Sequence, residues 1–200
     1  MNYFELSYGY EEYADRWHLD EPEDNTGDKL DANLLPKVGP YDGRQIARVP
    51  VDTQYPGRAL DFSFGYFNFL VLRTHVADLI EKHQGRIQRF PVTLEPAGEH
   101  GYEVVFTLDA PKGLVDVSRA LEHEFYQEDD MRVTMRYGGL APRQKGMLSK
   151  VYPLHIFADK AKGHEFFRPW EYTSAIVISE ALKNDFEKAG VTGIKYTLVS

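Results

Sequence analysis

The sequence predicts an α+β protein with a mixed or mostly antiparallel sheet and two or three helices. Two observations carry this expectation. Short apolar runs, alternating or continuous, recur from residue 59 onward, as β-strands require. Two of these runs lead into a helical pattern and then a return strand, which makes two strand–helix–strand units. We expect residues 1–58 to form an irregular, acidic and Pro-rich region packed on the core, and residues 59–200 to form the α+β domain.

The first strand–helix–strand unit is predicted between residues 59 and 94. Large apolar side chains alternate over residues 60–66, and residues 68–72 form an apolar run typical of a buried strand. Thr74 is suited to cap a helix that ends at Gly85, because Thr accepts from backbone amides and Gly adopts left-handed backbone angles. Residues 87–94 return as a strand.

The second unit is predicted over residues 174–200. Residues 175–178 are an apolar strand, Ser179 is the expected helix cap, Gly190 ends the helix, and residues 194–199 form the return strand. The two units correspond at an offset of 106 residues, which aligns Val71 with Val177. This correspondence fits an internal duplication, and it also fits two instances of a common unit.

The remaining elements have weaker signals. They are an edge strand at 3–10, a loop at 21–31, strands at 45–51, 102–108, 131–137 and 151–157, and a helical stripe over 116–125. The aromatic and basic cluster at 166–170 suggests that Arg168 closes the fold through a cation–π contact or a carboxylate.

The negative charge of the chain is segregated at its beginning. Residues 1–33 hold ten acids against two bases, and this difference equals the whole net charge of −8. Nucleic-acid binding is disfavoured, because phosphate contacts need a basic face. The acidic segment is suited to attract a basic partner, or else it is a solvated stretch that keeps the protein soluble. We expect deletion of residues 1–33 to weaken partner binding in a salt-dependent way and to leave the fold intact.

Searches for catalytic and cofactor chemistry find no motif. The chain has no Cys, and it lacks nucleophile-elbow, phosphate-loop, dinucleotide-binding and zinc-protease motifs. His75 and His83 are two helical turns apart, and the side chains around His123 diverge, so we expect no metal and no cofactor. No basic and apolar leader and no membrane-spanning run is visible, which predicts a cytoplasmic protein, or one secreted without a visible signal peptide.

Eight acids are candidate partner contacts, because clustered carboxylates resemble phosphates to a basic active site such as that of a nuclease. A solvated loop is the simpler reading of the same residues. The candidates are Glu21, Glu23, Asp24, Glu122, Glu124, Glu128, Asp129 and Asp130.

One part of the sequence resembles a known family. The matching stretches are Phe167-Arg168-Pro169-Trp170, Ile176-Val177-Ile178-Ser179-Glu180 with Leu182-Lys183, and Ala189-Gly190-Val191-Thr192-Gly193 with Tyr196. They are similar to the closing motif of the eleventh-numbered, myxobacterial-type family of immunity proteins from bacterial polymorphic toxin systems, formerly a domain of unknown function. Weaker similarity extends the resemblance over roughly residues 66–199 and leaves the N-terminal third unmatched.

The resemblance implies a protein that binds and neutralises a cognate toxin encoded by the adjacent gene. It supplies no catalytic residues and no fixed interface. We therefore expect inhibition by stoichiometric binding of a basic toxin. Two alternatives stay open: a secreted adaptor or carrier for a toxin, and a hydrolase or transferase with dispersed acidic residues. A deep pocket with a His and a carboxylate of strongly shifted pKa would favour the enzyme.

Overall fold

The computed structural model describes residues 1–9, 11–30, 38–52, 57–65, 69–127 and 145–200. Within these ranges the chain forms twelve strands and two α-helices, which confirms the predicted α+β class. The helices are α1 (Thr74–Gln84) and α2 (Glu180–Ala189). The strands are β1 (Tyr3–Ser7), β2 (Glu23–Asp24), β3 (Ile46–Pro50), β4 (Phe62–Gly65), β5 (Phe69–Arg73), β6 (Ile87–Glu95), β7 (Glu99–Thr107), β8 (Glu122–Phe125), β9 (Leu148–Tyr152), β10 (Phe166–Phe167), β11 (Ile176–Ser179) and β12 (Lys195–Leu198).

The strands form two main sheets and a two-stranded ribbon. The larger sheet has six strands in the order β2-β3-β6-β7-β5-β4, and it is mixed because β3 and β6 run parallel. The smaller sheet has the order β10-β11-β1-β12 and is antiparallel throughout. The ribbon consists of β8 and β9.

The two predicted strand–helix–strand units have the same topology. In the first, β5 and β6 are joined through α1 and run parallel with β7 between them. In the second, β11 and β12 are joined through α2 and run parallel with β1 between them. The outer strands also correspond, since Phe62 pairs with Leu72 and Phe166 pairs with Ile178. The two units are therefore equivalent, except that the second takes its inserted strand from the beginning of the chain.

The position of β1 corrects the sequence-based expectation of an edge strand at residues 3–10. β1 pairs with β11 on one side and β12 on the other, so it is an inner strand. Its sequence signal is that of any half-buried strand and does not identify its neighbours. Deleting residues 1–33 would remove this strand from the middle of the sheet. The expectation that such a truncation leaves the fold intact does not fit this arrangement.

The core has three parts, arranged on either side of the two sheets. The central part lies between the sheets and contains both helices, with Leu72, Ile80, Ile178 and Phe186 among its fully or almost fully buried side chains. The outer face of the six-stranded sheet is covered by the N-terminal segment. Trp17 of this segment packs against the buried residues there. The outer face of the four-stranded sheet is covered by residues from 114 to 161.

Local capping chemistry agrees with most of the sequence-based helix boundaries. The Ser179 hydroxyl accepts from the Leu182 amide at 3.2 Å, and Gly85 and Gly190 have left-handed backbone angles at the helix ends. The prediction for Thr74 is wrong: Thr74 is already helical, and Arg73 precedes the helix without a side-chain cap.

Three elements were predicted between residues 116 and 157. The helical stripe over residues 116–125 is wrong, because this stretch contains a 3-10 turn at Val117–Arg119 followed by strand β8. Leu114, just before this stretch, and Val117 pack in the core over the four-stranded sheet, whereas Leu121 and Phe125 are exposed. The strand expected at 151–157 lies earlier, as β9, and the strand expected at 131–137 lies outside the described residues.

Arg89 fixes α1 to the six-stranded sheet. Its guanidinium donates to both carboxylate oxygens of Glu103 at 2.5 and 2.9 Å, and to Glu81 and Asp78 on α1, each at 2.7 Å. The hydrogen bonds to Glu103, and then those to the helix acids, raise the pKa of Arg89 above its ordinary value. Glu103 is buried, so Arg89 neutralises a charge that has little access to water.

A second junction joins the two units through the loop after α2. Asp61, just before β4, accepts from the Thr192 amide at 3.0 Å and from its hydroxyl at 2.7 Å. The Phe62 amide donates to the Thr192 carbonyl at 3.0 Å. Gly193 follows with φ +100°, and a Cβ at this position would overlap the Phe62 carbonyl oxygen. The loop can approach β4 this closely because residue 193 has no side chain.

We expect Gly193→Ala to destabilise the protein by more than the cost of an unfavourable φ. The matched control is Gly163→Ala, since Gly163 has φ +91° and nothing within 4 Å of a Cβ. The control should lose about 1–2 kcal/mol. Gly193→Ala should lose roughly a further 1–3 kcal/mol, because backbone atoms must move. Urea unfolding measures both. Equal losses would show that the approach to Phe62 does not constrain the fold.

We expect Arg89→Met to cost about 3–5 kcal/mol of unfolding free energy, because Glu103 is left buried without its partner. The double variant Arg89→Met with Glu103→Leu should recover most of that loss, since no unpaired charge remains. Urea unfolding of the single and double variants measures the coupling. A double variant no more stable than Arg89→Met would contradict this account.

Candidate partner-binding surface

The β8–β9 ribbon sorts its side chains onto two faces. Glu122 lies opposite Tyr152 and Glu124 opposite Lys150, so these four side chains share the outer face. The other face carries His123 opposite Val151. Val151 belongs to the core beneath the four-stranded sheet, which anchors this second face. The outer face is thus directed away from the core.

The ribbon exposes large apolar and aromatic side chains. Leu121 is 82% exposed, Tyr152 is 65% exposed and Phe125 is 41% exposed, although Leu148 and Val151 of the same ribbon are buried. Single exposed apolar residues are ordinary, but a group on one small element is typical of a surface that contacts another protein. Aromatic residues contribute strongly to such contacts.

The acids of the ribbon are arranged around one lysine. Lys150 forms an ion pair with Glu122 and lies directly across from Glu124. The hydrogen bond from Lys150 lowers the pKa of Glu122, and the same contact raises the pKa of Lys150. All three side chains are exposed or largely exposed, so the pair stabilises the fold little. Their arrangement gives the outer face a negative charge next to apolar surface.

Hydrogen bonds beyond the strand ends hold the ribbon together. The Leu121 amide donates to the Tyr152 carbonyl at 2.9 Å, and the Tyr126 amide donates to the Met147 carbonyl at 3.1 Å. In the part of the chain that the structure describes, β8 has one strand neighbour, β9. On the other edge of β8, none of the described residues forms a neighbouring strand.

The acids predicted near the N-terminus lie elsewhere, on and beside β2 at the end of the six-stranded sheet. Glu21 and Glu23 are half-buried there. Asp24 is buried: one of its oxygens accepts from Thr26 and Asp28, and the other contacts Arg44 at 2.7 Å. Asp24 is a structural residue of this turn, so we leave it out of the proposed contact surface.

The predicted acids are thus divided between two places. Glu122 and Glu124 lie together on the ribbon, whereas the acids near β2 belong to a different sheet. Glu128, Asp129 and Asp130 lie outside the described residues. The exposure of Leu121, Phe125 and Tyr152 was not predicted, because the apolar pattern placed the first two on a helix and Tyr152 in a strand over residues 151–157.

A polar network lies at the seam, by which we mean the junction between the two strand–helix–strand units. His164 Nδ1 lies 2.5 Å from the buried Asp109 carboxylate, which also accepts from Gln84 at 2.7 Å. His83 Nε2 lies 2.9 Å from Asp185, and this contact lowers the pKa of Asp185. The two histidines and their acids therefore connect the end of α1 with α2 and with the loop before β10.

Ser179 is hydrogen bonded within the same network. The Ser179 hydroxyl donates to Glu165 and accepts from the Leu182 amide, so it acts as a helix cap. A serine nucleophile would instead be hydrogen bonded to a basic group such as a histidine. These contacts make the seam an internal structural connection.

Arg168 closes the fold by contacts other than the predicted ring or carboxylate. Arg168 is buried, and it donates to the backbone carbonyls of Thr173 and Ser174 at 2.7 and 3.4 Å. Burial lowers the pKa of Arg168 to about 10. The cation over the Trp170 ring is Lys112, at 4.5 Å. Arg168 thus closes the fold through carbonyl groups.

Across the described ranges, no group of three or more His, Asp or Glu side chains could hold a metal ion. None of the helices described is long and apolar enough to cross a membrane. No family model matches the chain, and no curated protein matches it.

We expect Asp24→Asn to lower stability at neutral pH and to have little effect in strong acid. The Thr26 hydroxyl contributes most to holding the pKa of Asp24 below its ordinary value, and two backbone amides and Arg44 add to it against the effect of burial. A carboxylate with a depressed pKa stabilises the fold above its unfolded pKa of about 3.9, and this contribution is lost as pH falls through the folded pKa.

Urea midpoints of the parent and Asp24→Asn at pH 7, 5, 3 and 2 check this expectation. The difference between the two proteins should shrink toward pH 2. Asp42→Asn, at an exposed acid, is the control and should show little difference at any pH. A difference that stays constant over the series would mean that the charge of Asp24 is not what stabilises the turn.

Proposed function

We propose that this protein is an immunity protein that neutralises a cognate bacterial toxin by stoichiometric binding, and that the β8–β9 ribbon contacts the toxin. The observation that carries the proposal is the group of exposed Leu121, Phe125 and Tyr152 beside Glu122 and Glu124. Protein interfaces commonly combine aromatic anchors with a charged surround.

The charge of the chain indicates the kind of partner. The net charge is −8, and the outer face of the ribbon has two carboxylates around one ammonium group. A basic protein would be attracted to this surface and oriented by it. Many enzymes that act on nucleic acids have basic active sites, and a carboxylate pair can occupy the place of substrate phosphates there. The proposed toxin is therefore a basic protein.

The resemblance to the immunity family supports the same function through different residues. Its closing motif includes Arg168, Ser179, Thr192 and Gly193, which hold the fold together from within or at the junction of the two units. The ribbon is not part of that motif. A shared scaffold with a chain-specific contact surface is what a set of inhibitors directed at different toxins requires. We propose the cytoplasm of the producing cell as the site of action.

We expect the protein to co-purify with the product of the adjacent gene in a one-to-one complex, and the ribbon to determine its affinity. Glu122→Lys with Glu124→Lys should weaken binding at least roughly tenfold at low salt, because two favourable charges become repulsive. Tyr152→Ala should weaken binding at both low and high salt, because its contact is apolar. Isothermal titration at two salt concentrations measures these effects.

The control is Asp42→Lys, which changes one exposed acid outside the ribbon and outside residues 1–33. It should retain nearly full affinity, and thermal unfolding should be similar for all these variants. Absence of any complex at micromolar concentration would overturn the proposed function. A complex that none of the ribbon variants weakens would place the contact surface elsewhere.

A further inference from the structure

β8 has a second edge on which the described residues place no strand. Strands at a sheet edge present unpaired amide and carbonyl groups, and proteins commonly protect such edges or use them for pairing. All four side chains of β8 are exposed, and the strand has β9 as its one neighbour among the described residues. An incoming strand could lie along the other edge about 4.8 Å away.

We propose that the basic partner binds by adding a β-strand to this edge of β8, with Lys or Arg side chains at alternate positions facing Glu122 and Glu124. This inference rests on the proposed function, in that it describes how the same ribbon recognises its partner. Backbone hydrogen bonds would supply the alignment, and the alternate cationic side chains would supply the specificity, as in other cases of strand addition.

The contacts between β9 and β8 show which side chains pair with the acids of β8. Lys150 of β9 is directly across from Glu124 and forms an ion pair with Glu122. A strand on the other edge would have the same geometric relation to these two carboxylates. Residues two apart on a strand share a face at a spacing of about 6.8 Å, so a partner with cations at alternate positions would meet both acids.

Apolar side chains extend this edge beyond the charges. Leu121 precedes β8 and is almost fully exposed, and Phe125 at its end is partly exposed. Phe125 lies on the face of His123, because the two rings are in edge contact with centroids 5.8 Å apart, and strand alternation places Leu121 on the same side. This arrangement favours a partner strand in which apolar residues alternate with the cationic positions, so that the cations meet the acids and the apolar residues meet Leu121 and Phe125.

A second copy of this chain is a poor occupant of the same edge. Antiparallel pairing of two β8 strands about a two-fold axis would place Glu122 and Glu124 of one copy across from Glu124 and Glu122 of the other. Like charges directly opposite on neighbouring strands are destabilising. The acids therefore oppose self-association and favour a basic strand, which commits the edge to a different protein.

The test uses the full chain and synthetic nine-residue peptides of alternating Lys and Val. Two further peptides have the same sequence and charge but carry N-methyl groups on one or the other set of alternate amides. The unmodified peptide should bind, and hydrogen exchange should slow at the amides of β8 that face away from β9. Methylation of the set that faces β8 should weaken binding at least roughly tenfold, and methylation of the other set should have little effect.

Protein variants test whether the acids of β8 contribute to peptide binding. Glu124→Lys should reduce peptide affinity severalfold or more, and Asp42→Lys should leave it unchanged. Equal binding of both methylated peptides would overturn strand addition, because charge alone would then account for the affinity. No binding of any peptide at millimolar concentration would also overturn it. Neither result affects the proposed function, whose own test is formation of the complex with the adjacent gene product.

Discussion

The whole structure depends on one shared burial: two sheets use the same pair of helices to cover their inner faces. Leu72 and Phe62 from one sheet, and Ile178 from the other, belong to one continuous core with Ile80 of α1 and Phe186 of α2. Each fully buried side chain of this kind contributes about 1.5–3 kcal/mol, and both helices supply such side chains to the core that the two sheets share. The outer coverings, the Arg89 cluster and the seam between His164 and Asp109 are arranged around that shared core.

The sequence predicted the local elements of the fold well, because their causes are local. Ser179 caps α2 with its own hydroxyl, and Gly85 and Gly190 end the helices because their backbone angles are left-handed. The buried strands β5 and β11 were recognisable because both of their faces are covered, which makes them continuously apolar. The equivalence of the two units was visible as an offset in the apolar pattern.

The features that the sequence could not predict depend on contacts between residues far apart in the chain. The neighbours of β1 are about 170 residues (β11) and about 190 residues (β12) away along the chain, and no local signal identifies them. The same is true of the candidate site. Glu122 and Glu124 could be predicted because they are charged. The exposure of Phe125 and Tyr152 depends on the position of the ribbon at the surface, which the sequence does not indicate. Arg168 was expected to meet a ring or a carboxylate, and it binds carbonyl groups because the turn after it folds back over its side chain.

The insertion of β1 between β11 and β12 has a consequence for synthesis of the chain. Glu5 pairs with Val177, so this strand leaves the ribosome about 170 residues before its partner. At a translation rate of about 5–20 residues per second, it waits on the order of ten seconds or more. In the described ranges, the strands of the six-stranded sheet lie between residues 23 and 107, so they are all synthesised during that interval. The smaller sheet can close only after β11 and β12 emerge, so a chaperone that shields β1 would act on a strand that waits for both of its partners.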